Sequence, residues 1–302
     1  MKKLVTSFLI LSFSIICAEP IVPIPKSINY DHKKAQLGKK LFFDTRLSKN
    51  NTISCASCHN IYEGGDDNLQ YSFGIDAQEG NINSPTVLNA GFNFRQFWNG
   101  GAKNLQAQAE GPVQNPVEMG NNFSNLIKTL NNTEYKNLFA KVYSNGITKN
   151  NITDAIAEYE KTLITPDAPF DKYLRGDKTA INLDAKEGYE LFKSKGCIAC
   201  HHGINIGGNL YNKFGVAKAT HSKRLGRYEV THNEDDKYYF KVPTLRNIAQ
   251  TAPYLHDGRY NNLKDVVRFM AQYQLGRVIT QEEVRKIVIF LKTLSAPVKE
   301  IQ

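Results

Sequence analysis

Two copies of the pattern Cys-x-x-Cys-His, at residues 55–59 and 197–201, restrict what this chain can fold into more than any other feature. In this pattern the two thiols add to the vinyl groups of a haem, and the adjoining histidine is positioned to ligate the iron. Zinc sites and dithiol redox sites also use Cys-x-x-Cys pairs, but two copies each followed by histidine favour two c-type haems. The predicted attachment residues are Cys55, Cys58, Cys197 and Cys200, and the predicted axial histidines are His59 and His201.

The first 18 residues are typical of an export signal. Lys2 and Lys3 precede an apolar stretch over residues 4–16, and Ala18 is a suitable cleavage site. The stretch is shorter than the roughly 20 apolar residues of a spanning helix, and no later stretch is long enough. We therefore expect a signal peptide at 1–18, no membrane-spanning segment, and a mature protein in a bacterial periplasm.

The charge of the chain is basic, with 38 Lys and Arg against 29 Asp and Glu, a formal net charge of +9. The basic residues are scattered along the sequence, and the expected compartment holds no nucleic acid, so nucleic-acid binding is not expected. A mildly basic surface would instead steer an acidic redox partner.

The two haem patterns lie about 140 residues apart, which predicts one haem in each of two domains. We expect an N-terminal domain at 19–165 and a C-terminal domain at 166–302, divided at the proline- and glycine-containing segment 165–176. Strand signals are few and short. The predicted fold is mainly α, with two cytochrome c-like haem domains, long irregular loops and few strands.

Helical patterns flank both haem motifs. Similar stretches at 37–43 and 187–192 precede them, which predicts a short helix leading into each attachment loop. A second amphipathic helix is predicted from residue 151 to 163. The last helix is predicted to begin with a capping box from Thr280 to Glu283 and to place one apolar face against its domain's first helix.

Only two methionines, Met119 and Met270, follow the predicted signal peptide. Met270 lies on a predicted helix over 263–273, where a thioether can reach the second iron and raise its reduction potential. Its neighbours are apolar, so core packing is the alternative, and ligation is the prediction.

The loop 115–120 places Glu118 directly before Met119. If Met119 ligated the first iron, both haems would be closed and the protein would be an electron carrier. If Glu118 faces the haem instead, the iron stays open and the carboxylate can move protons. Spacing alone leaves both open. Trp98, the only tryptophan, is either a core residue or part of an electron path between the haems.

Taken together, these motifs resemble the bacterial dihaem cytochrome c peroxidase family from about residue 37 to residue 294. The resemblance is carried by the segments 37–44, 83–90, 97–100, 111–119, 242–247 and 251–258. It implies an enzyme that reduces hydrogen peroxide to water, with electrons from a small soluble redox protein such as a cytochrome c or a copper protein. Members are often dimers, so a homodimer is among the expectations.

The resemblance also implies roles for single residues of the first haem. His59 would be the proximal ligand of a low-potential, peroxidatic haem. Glu118 would be the acid/base residue and Gln108 a distal hydrogen-bonding partner, while Met119 would not be a ligand.

For the second haem the resemblance implies a high-potential iron ligated by His201 and Met270, with Trp98 between the two haems. It further implies a calcium ion between the domains, since calcium prefers an oxygen shell. Its ligands would be the Asn83 side chain and the backbone oxygens of Thr251 and Pro253.

One position departs from the family pattern. Many members carry a histidine in the loop after the first motif, which caps the peroxidatic iron in the resting oxidised state. Here the loop 72–78 has Ile75 at that position, and no histidine occurs between His59 and His201. Our hypothesis is that the peroxidatic iron is already open, or water-bound, in the fully oxidised enzyme.

Two other functions remain open at this point. A dihaem electron shuttle would have two closed haems, and Glu118 argues against it. A MauG-like enzyme, which oxidises residues of a partner protein, would have a tyrosine in place of the Met270 ligand.

Overall fold

The computed structural model describes residues 19–299 and residue 301, so the predicted signal peptide at 1–18 lies outside the described residues. Helices make up most of the regular structure, as predicted. The α-helices are α1 (His32–Phe42), α2 (Cys55–Cys58), α3 (Leu105–Gln114), α4 (Phe123–Asn131), α5 (Tyr135–Ala140), α6 (Lys149–Thr162), α7 (Pro169–Leu174), α8 (Leu183–Ser194), α9 (Tyr228–Thr231), α10 (Leu263–Phe269) and α11 (Gln281–Lys292).

Short elements fill the loops between these helices. Among the described residues, two strands, β1 (Tyr211–Lys213) and β2 (Tyr239–Lys241), form an antiparallel pair with Asn212 opposite Phe240. A π-helical turn, Met270–Gln274, continues α10. The 3₁₀ turns are Thr45–Leu47, Ile75–Ala77, Ala90–Phe92, Cys197–Ala199, Glu234–Asp236 and Ile248–Gln250.

In the N-terminal half, α1 packs on α6 at a glycine. A Cβ on Gly38 would lie 1.8 Å from the Ala155 carbonyl oxygen, so the two helix backbones approach more closely than any other residue allows. Apolar side chains from α1, α4, α5 and α6 complete this core, including Leu41, Leu126 and Ile156.

In the C-terminal half, two helices likewise pack closely at a glycine. A Cβ on Gly188 of α8 would lie 2.1 Å from the Lys286 carbonyl oxygen of α11. The predicted capping box is present, because Thr280 Oγ1 accepts from the Glu283 N–H and the Glu283 side chain accepts from the Thr280 N–H. The last helix packs against α8, the helix that leads into the second haem motif, as predicted.

The segment 165–176 is partly helical, and most of its first seven residues are buried. It contains α7, whose Asp171 forms an ion pair with Arg246 at 2.7 Å, and both side chains are fully buried. The Arg246 guanidinium also donates to the backbone oxygens of Ile204 and Val22. The helical part of the segment thus packs into the C-terminal half.

Each end of the described chain packs against the half of the molecule that contains the other end. Ile21 packs in the C-terminal core, and the Val22 N–H donates to the Gly203 oxygen. At the other end, the Lys299 N–H donates to the Ile164 oxygen at 2.8 Å. Val298 and Ile301 cover a small apolar cluster of the N-terminal half, which consists of Phe42, Ile61, Val87, Leu88, Tyr159 and Leu163. The division at 165/166 stays a prediction.

Within residues 19–299 and 301, no helix is long and apolar enough to cross a bilayer.

Two candidate haem sites and the wall between them

The cysteines of the first haem motif lie on α2, and the histidine that follows this helix is half-buried. His59 Nδ1 lies 3.1 Å from the Gly65 carbonyl oxygen. Burial lowers the pKa of His59, so the ring is neutral. A neutral imidazole whose Nδ1–H donates to a carbonyl presents Nε2 as a ligand, the usual arrangement of an iron-ligating histidine.

The second motif has the same arrangement. His201 Nδ1 lies 3.3 Å from the Ile206 carbonyl oxygen, and burial lowers the pKa of His201 to about 4. The attachment thiols are also withdrawn from water, and burial raises the pKa of Cys58 and of Cys197 to about 11.

The N-terminal cavity, defined by the lining residues His59, Gln108, Glu118 and Glu160, opens beside the first motif. The Asn115 amide donates to a Glu118 carboxylate oxygen at 2.6 Å and orients it. Glu118 is exposed at the edge of the cavity, but the nearby cavity walls partly desolvate its carboxyl and raise its pKa, while the bond from Asn115 opposes the change. Gln108 reaches the same cavity from α3.

The loop 72–78 packs against the Glu118 loop. The Ile75 N–H donates to the Glu118 backbone oxygen at 2.8 Å, and the Ile75 side chain is 5 % exposed. A Cβ on Gly120 would lie 2.2 Å from Ile75 Cδ1, so the isoleucine packs onto this glycine and is not among the residues that line the cavity.

Glu160 is a second carboxylate of the N-terminal cavity, and the sequence analysis missed it. Its side chain is 5 % exposed, and Oε2 has no hydrogen-bond partner among the described residues. Burial raises the pKa of Glu160 to about 8. The available signal was its position: Glu160 lies four residues after Ile156 and three before Leu163, on the apolar face of α6.

The C-terminal cavity lies beside the second motif. His201 and Met270 both line it, and Met270 occupies the first position of the π-helical turn. Lys241 of β2 also lines this cavity and is 5 % exposed, with its pKa lowered to about 8 by burial. No carboxylate of the described residues pairs with Lys241, so a buried cation is available for a haem propionate.

A shared wall separates the two cavities. The segment 83–86 lines both of them. Trp98 lines the C-terminal cavity, and its indole N–H donates to the Asn83 backbone oxygen at 2.8 Å. The Trp98 backbone oxygen accepts from the Lys241 N–H at 2.8 Å. Trp98 is therefore hydrogen-bonded both to this wall and to β2.

Known proteins match this chain along almost its whole length. The profile of the family described as di-haem cytochrome c peroxidase matches residues 32–179, and that of cytochrome c matches residues 185–295. A cytochrome c551 peroxidase of Nitrosomonas europaea is 50 % identical, over 92 % of this chain and 84 % of that protein. The chain belongs to the di-haem cytochrome c peroxidase family.

Another relative and a solved structure are also similar to this chain. The cytochrome c peroxidase of Escherichia coli is 46 % identical over 92 % of this chain and 61 % of its own length. A solved MauG-like protein associated with microbial copper homeostasis shares the fold, with a TM-score of 0.80, 24 % identity and coverage of 95 % of this chain and 96 % of its own. Membership of the di-haem peroxidase family makes two haem c groups the cofactors of this chain.

The predicted catalytic and ligating residues fall into the two cavities. Glu118 and Gln108 lie with His59, while Met270 and Trp98 lie with His201. Met119 also borders the N-terminal cavity, but it is 3 % exposed and belongs to the core of that half. The three predicted calcium residues line the C-terminal cavity, as do Lys241 and Asp66, which the sequence analysis did not single out.

Proposed function

We propose that this di-haem peroxidase family member is a periplasmic enzyme that reduces hydrogen peroxide to water, with electrons from a small soluble redox protein. The observation that carries the proposal is the Glu118 carboxyl, with its raised pKa, in the cavity of His59. A proton-transferring group beside an axial histidine is what peroxide cleavage needs and what electron transfer alone does not need.

The haem held by His59 would supply the iron at which peroxide is bound and its O–O bond cleaved, and the haem held by His201 would supply one of the two electrons. Glu118 would accept the proton of the proximal peroxide oxygen and return it to the distal oxygen, so that water departs. Gln108 would orient the peroxide by a hydrogen bond. Asn115, which donates to Glu118 at 2.6 Å, holds the carboxylate in place for both transfers.

Electron delivery between the cavities would run along Trp98 and the shared wall 83–86. The hydrogen bond from the indole to the Asn83 backbone oxygen supports this route, because Asn83 lines both cavities. A small cytochrome c or a copper protein would refill the second haem in successive one-electron encounters. Such docking is weak and transient.

We also propose that the peroxidatic iron is open or water-bound in the fully oxidised enzyme. Ile75 replaces the loop histidine, and its side chain packs on Gly120. An absorption or electron paramagnetic resonance spectrum of the oxidised enzyme would show one high-spin or water-ligated haem. Two low-spin haems with nitrogen or sulfur sixth ligands would contradict the proposal.

Calcium and dimerisation complete the proposal. Asn83, Thr251 and Pro253 line one cavity, which supports an interdomain calcium site whose ligands would be the Asn83 side chain and the backbone oxygens of Thr251 and Pro253. A homodimer is proposed from the family alone, and sedimentation velocity would test it.

The first experiment is peroxide-dependent oxidation of a reduced small cytochrome c, with fully oxidised enzyme and with enzyme whose second haem is prereduced. Equal, immediate turnover is expected from both. Turnover only after prereduction would keep the peroxidase and overturn the open-iron proposal. Absence of turnover in both would overturn the peroxidase and favour an electron shuttle or a MauG-like activity.

A further inference from the structure

Asp66 is a buried carboxylate whose charge no protein group compensates. Its side chain is 1 % exposed, and Oδ1 has no hydrogen-bond partner among the described residues. No Lys, Arg or His of the described chain forms an ion pair with it. Burial raises the pKa of Asp66 to about 7, as expected for a carboxylate without a counter-charge. An isolated buried carboxylate is costly unless it binds a cation.

Several residues that line the same cavity as Asp66 have an oxygen that accepts no hydrogen bond from the described residues. Asp66 lines the same cavity as Asn83, Thr251 and Pro253. The Asn83 amide nitrogen donates to the Leu69 oxygen at 3.0 Å, while its oxygen accepts no hydrogen bond from the described residues. The backbone oxygens of Thr251 and Pro253 likewise accept no hydrogen bond there.

The distances around Gly64 place the Asp66 carboxylate close to the loop that begins at Gln250. A Cβ on Gly64 would lie 3.1 Å from Asp66 Oδ1 and 2.8 Å from the Gln250 carbonyl oxygen. The orphaned carboxylate oxygen and the loop that begins at Gln250 therefore lie together beside this glycine. Gly64 has a φ of +98°, so a side chain at this position would be strained as well as crowded.

We propose that Asp66 is a direct ligand of the calcium ion proposed at Asn83, Thr251 and Pro253. The inference rests on that calcium proposal and adds to it a carboxylate. Calcium favours carboxylate and carbonyl oxygens, and its affinity rises with the number of charged ligands. The ion would offset the buried charge of Asp66. It would also join residues 66 and 83 of the N-terminal half to the loop 251–253 of the C-terminal half.

Calcium binding to the holoenzyme tests this proposal, because covalently attached haem survives treatment with a chelator. Holoenzyme stripped with a chelator is titrated with calcium chloride by calorimetry. Asp66→Asn keeps the size of the side chain, and it should weaken calcium binding by about tenfold or more. Asp67→Asn is the matched control: it removes the adjacent, half-buried carboxylate, which does not line the cavity, and should bind calcium as the wild type does.

Thermal unfolding of the same proteins gives a second readout. Without calcium, Asp66→Asn should be at least as stable as the wild type, because it removes an uncompensated buried charge. Calcium should raise the melting temperature of the wild type and raise that of the variant less. A variant and wild type with equal calcium affinity would overturn the role of Asp66. Failure of the wild type to bind calcium would overturn both the role and the site. Neither result bears on the peroxidase, which the turnover assay tests separately.

Discussion

At the scale of single residues, the two halves differ in the chemistry that faces their histidines. Glu118 and Glu160 are carboxyl groups with raised pKa values in the N-terminal cavity. Lys241 and Met270 are the corresponding cation and thioether in the C-terminal cavity. Acid groups suit proton transfer at an open iron, whereas a thioether closes an iron and raises its potential.

Replacing Glu118 with Gln should lower peroxide turnover by about 10²- to 10⁴-fold, the usual contribution of a positioned acid/base group. Both haems should remain attached, since neither motif is altered, and their absorbance verifies this. The control is Glu110→Gln on α3, whose carboxylate pairs with Lys149; it should keep wild-type turnover. Nearly intact turnover in Glu118→Gln would assign proton transfer to another group.

The pH dependence of kcat/KM for peroxide turnover should reflect the titration of Glu118. The carboxylate is the form that accepts a proton from peroxide, and burial raises its pKa. As the pH falls, kcat/KM should therefore decline at a pH above the ordinary glutamate pKa of about 4.3. A profile that stays flat down to the ordinary range would contradict the role.

Because of Glu160, the free energy of unfolding should depend on pH and fall as the pH rises. The folded protein keeps the proton up to a pH of about 8, whereas the unfolded chain loses it near the ordinary glutamate value of about 4.3. The free energy of unfolding should therefore fall as pH rises between these values. Glu160→Gln should remove this dependence, so the variant should gain stability over the wild type at the upper end. Denaturant unfolding of both holoproteins at several pH values measures it.

Replacing Met270 with Leu should lower the potential of the second haem by a sizeable part of the roughly 0.8 V range that axial ligands span. Redox titration followed by absorbance measures the change. Met119→Leu is the matched control, because Met119 is 3 % exposed in the core and leucine fits such a site. An unchanged potential in Met270→Leu would show that another residue fills the sixth position.

At the scale of elements, the sequence predicted helices that have local signals, such as an apolar face or a capping box. It did not predict a helix whose formation depends on contacts with residues far away in the sequence. The capping box and apolar face of α11 are local signals, and both are present. The segment 165–176 shows prolines and a glycine, but the buried pair of Asp171 and Arg246 makes part of it a helix within the core. Residues 75 positions apart form this pair, so no local pattern records it.

Removing one member of this buried pair should be costly. Arg246→Met leaves the Asp171 carboxylate uncompensated and should lower the free energy of unfolding by about 3–5 kcal/mol. Arg285→Met is the control, because it breaks an exposed pair with Asp184 and should change stability little. Denaturant unfolding compares the two. Adding Asp171→Leu to Arg246→Met should recover part of the loss, and no recovery would show that the charge was not its cause.

At the scale of the whole molecule, the sequence predicted two haems in two helical halves, and the repeated helix-and-glycine crossings at Gly38 and Gly188 agree. The candidate site was less accessible to prediction. Motifs marked Glu118 and Met270, but Asp66, Glu160 and Lys241 became visible only through their burial. Burial of a polar side chain depends on distant packing, which spacing along one chain does not record.

Truncation after residue 296 tests the packing of one chain end on the opposite half. It removes Val298 and Ile301 from the cluster around Phe42 and also removes the hydrogen bond to the Ile164 oxygen. The loss should be about 2 kcal/mol in the free energy of unfolding, since both side chains are partly buried. Lys299→Ala, which keeps the backbone N–H, should change little. Unaltered stability after truncation would show that the end contributes nothing.

The packing of each chain end on the opposite half also bears on the order in which the fold can be completed. Residues 20–22 lie near the start of the described chain, but their partners at Gly203 and Arg246 follow about 180 residues later or more. The cluster around Phe42 waits still longer for Val298 and Ile301. A chain that ends before residue 298 therefore leaves this cluster without its cover, although residues 20–22 keep their partners. The packing of each half therefore depends on a segment from the far end of the described sequence, so a change at either end acts on the opposite half.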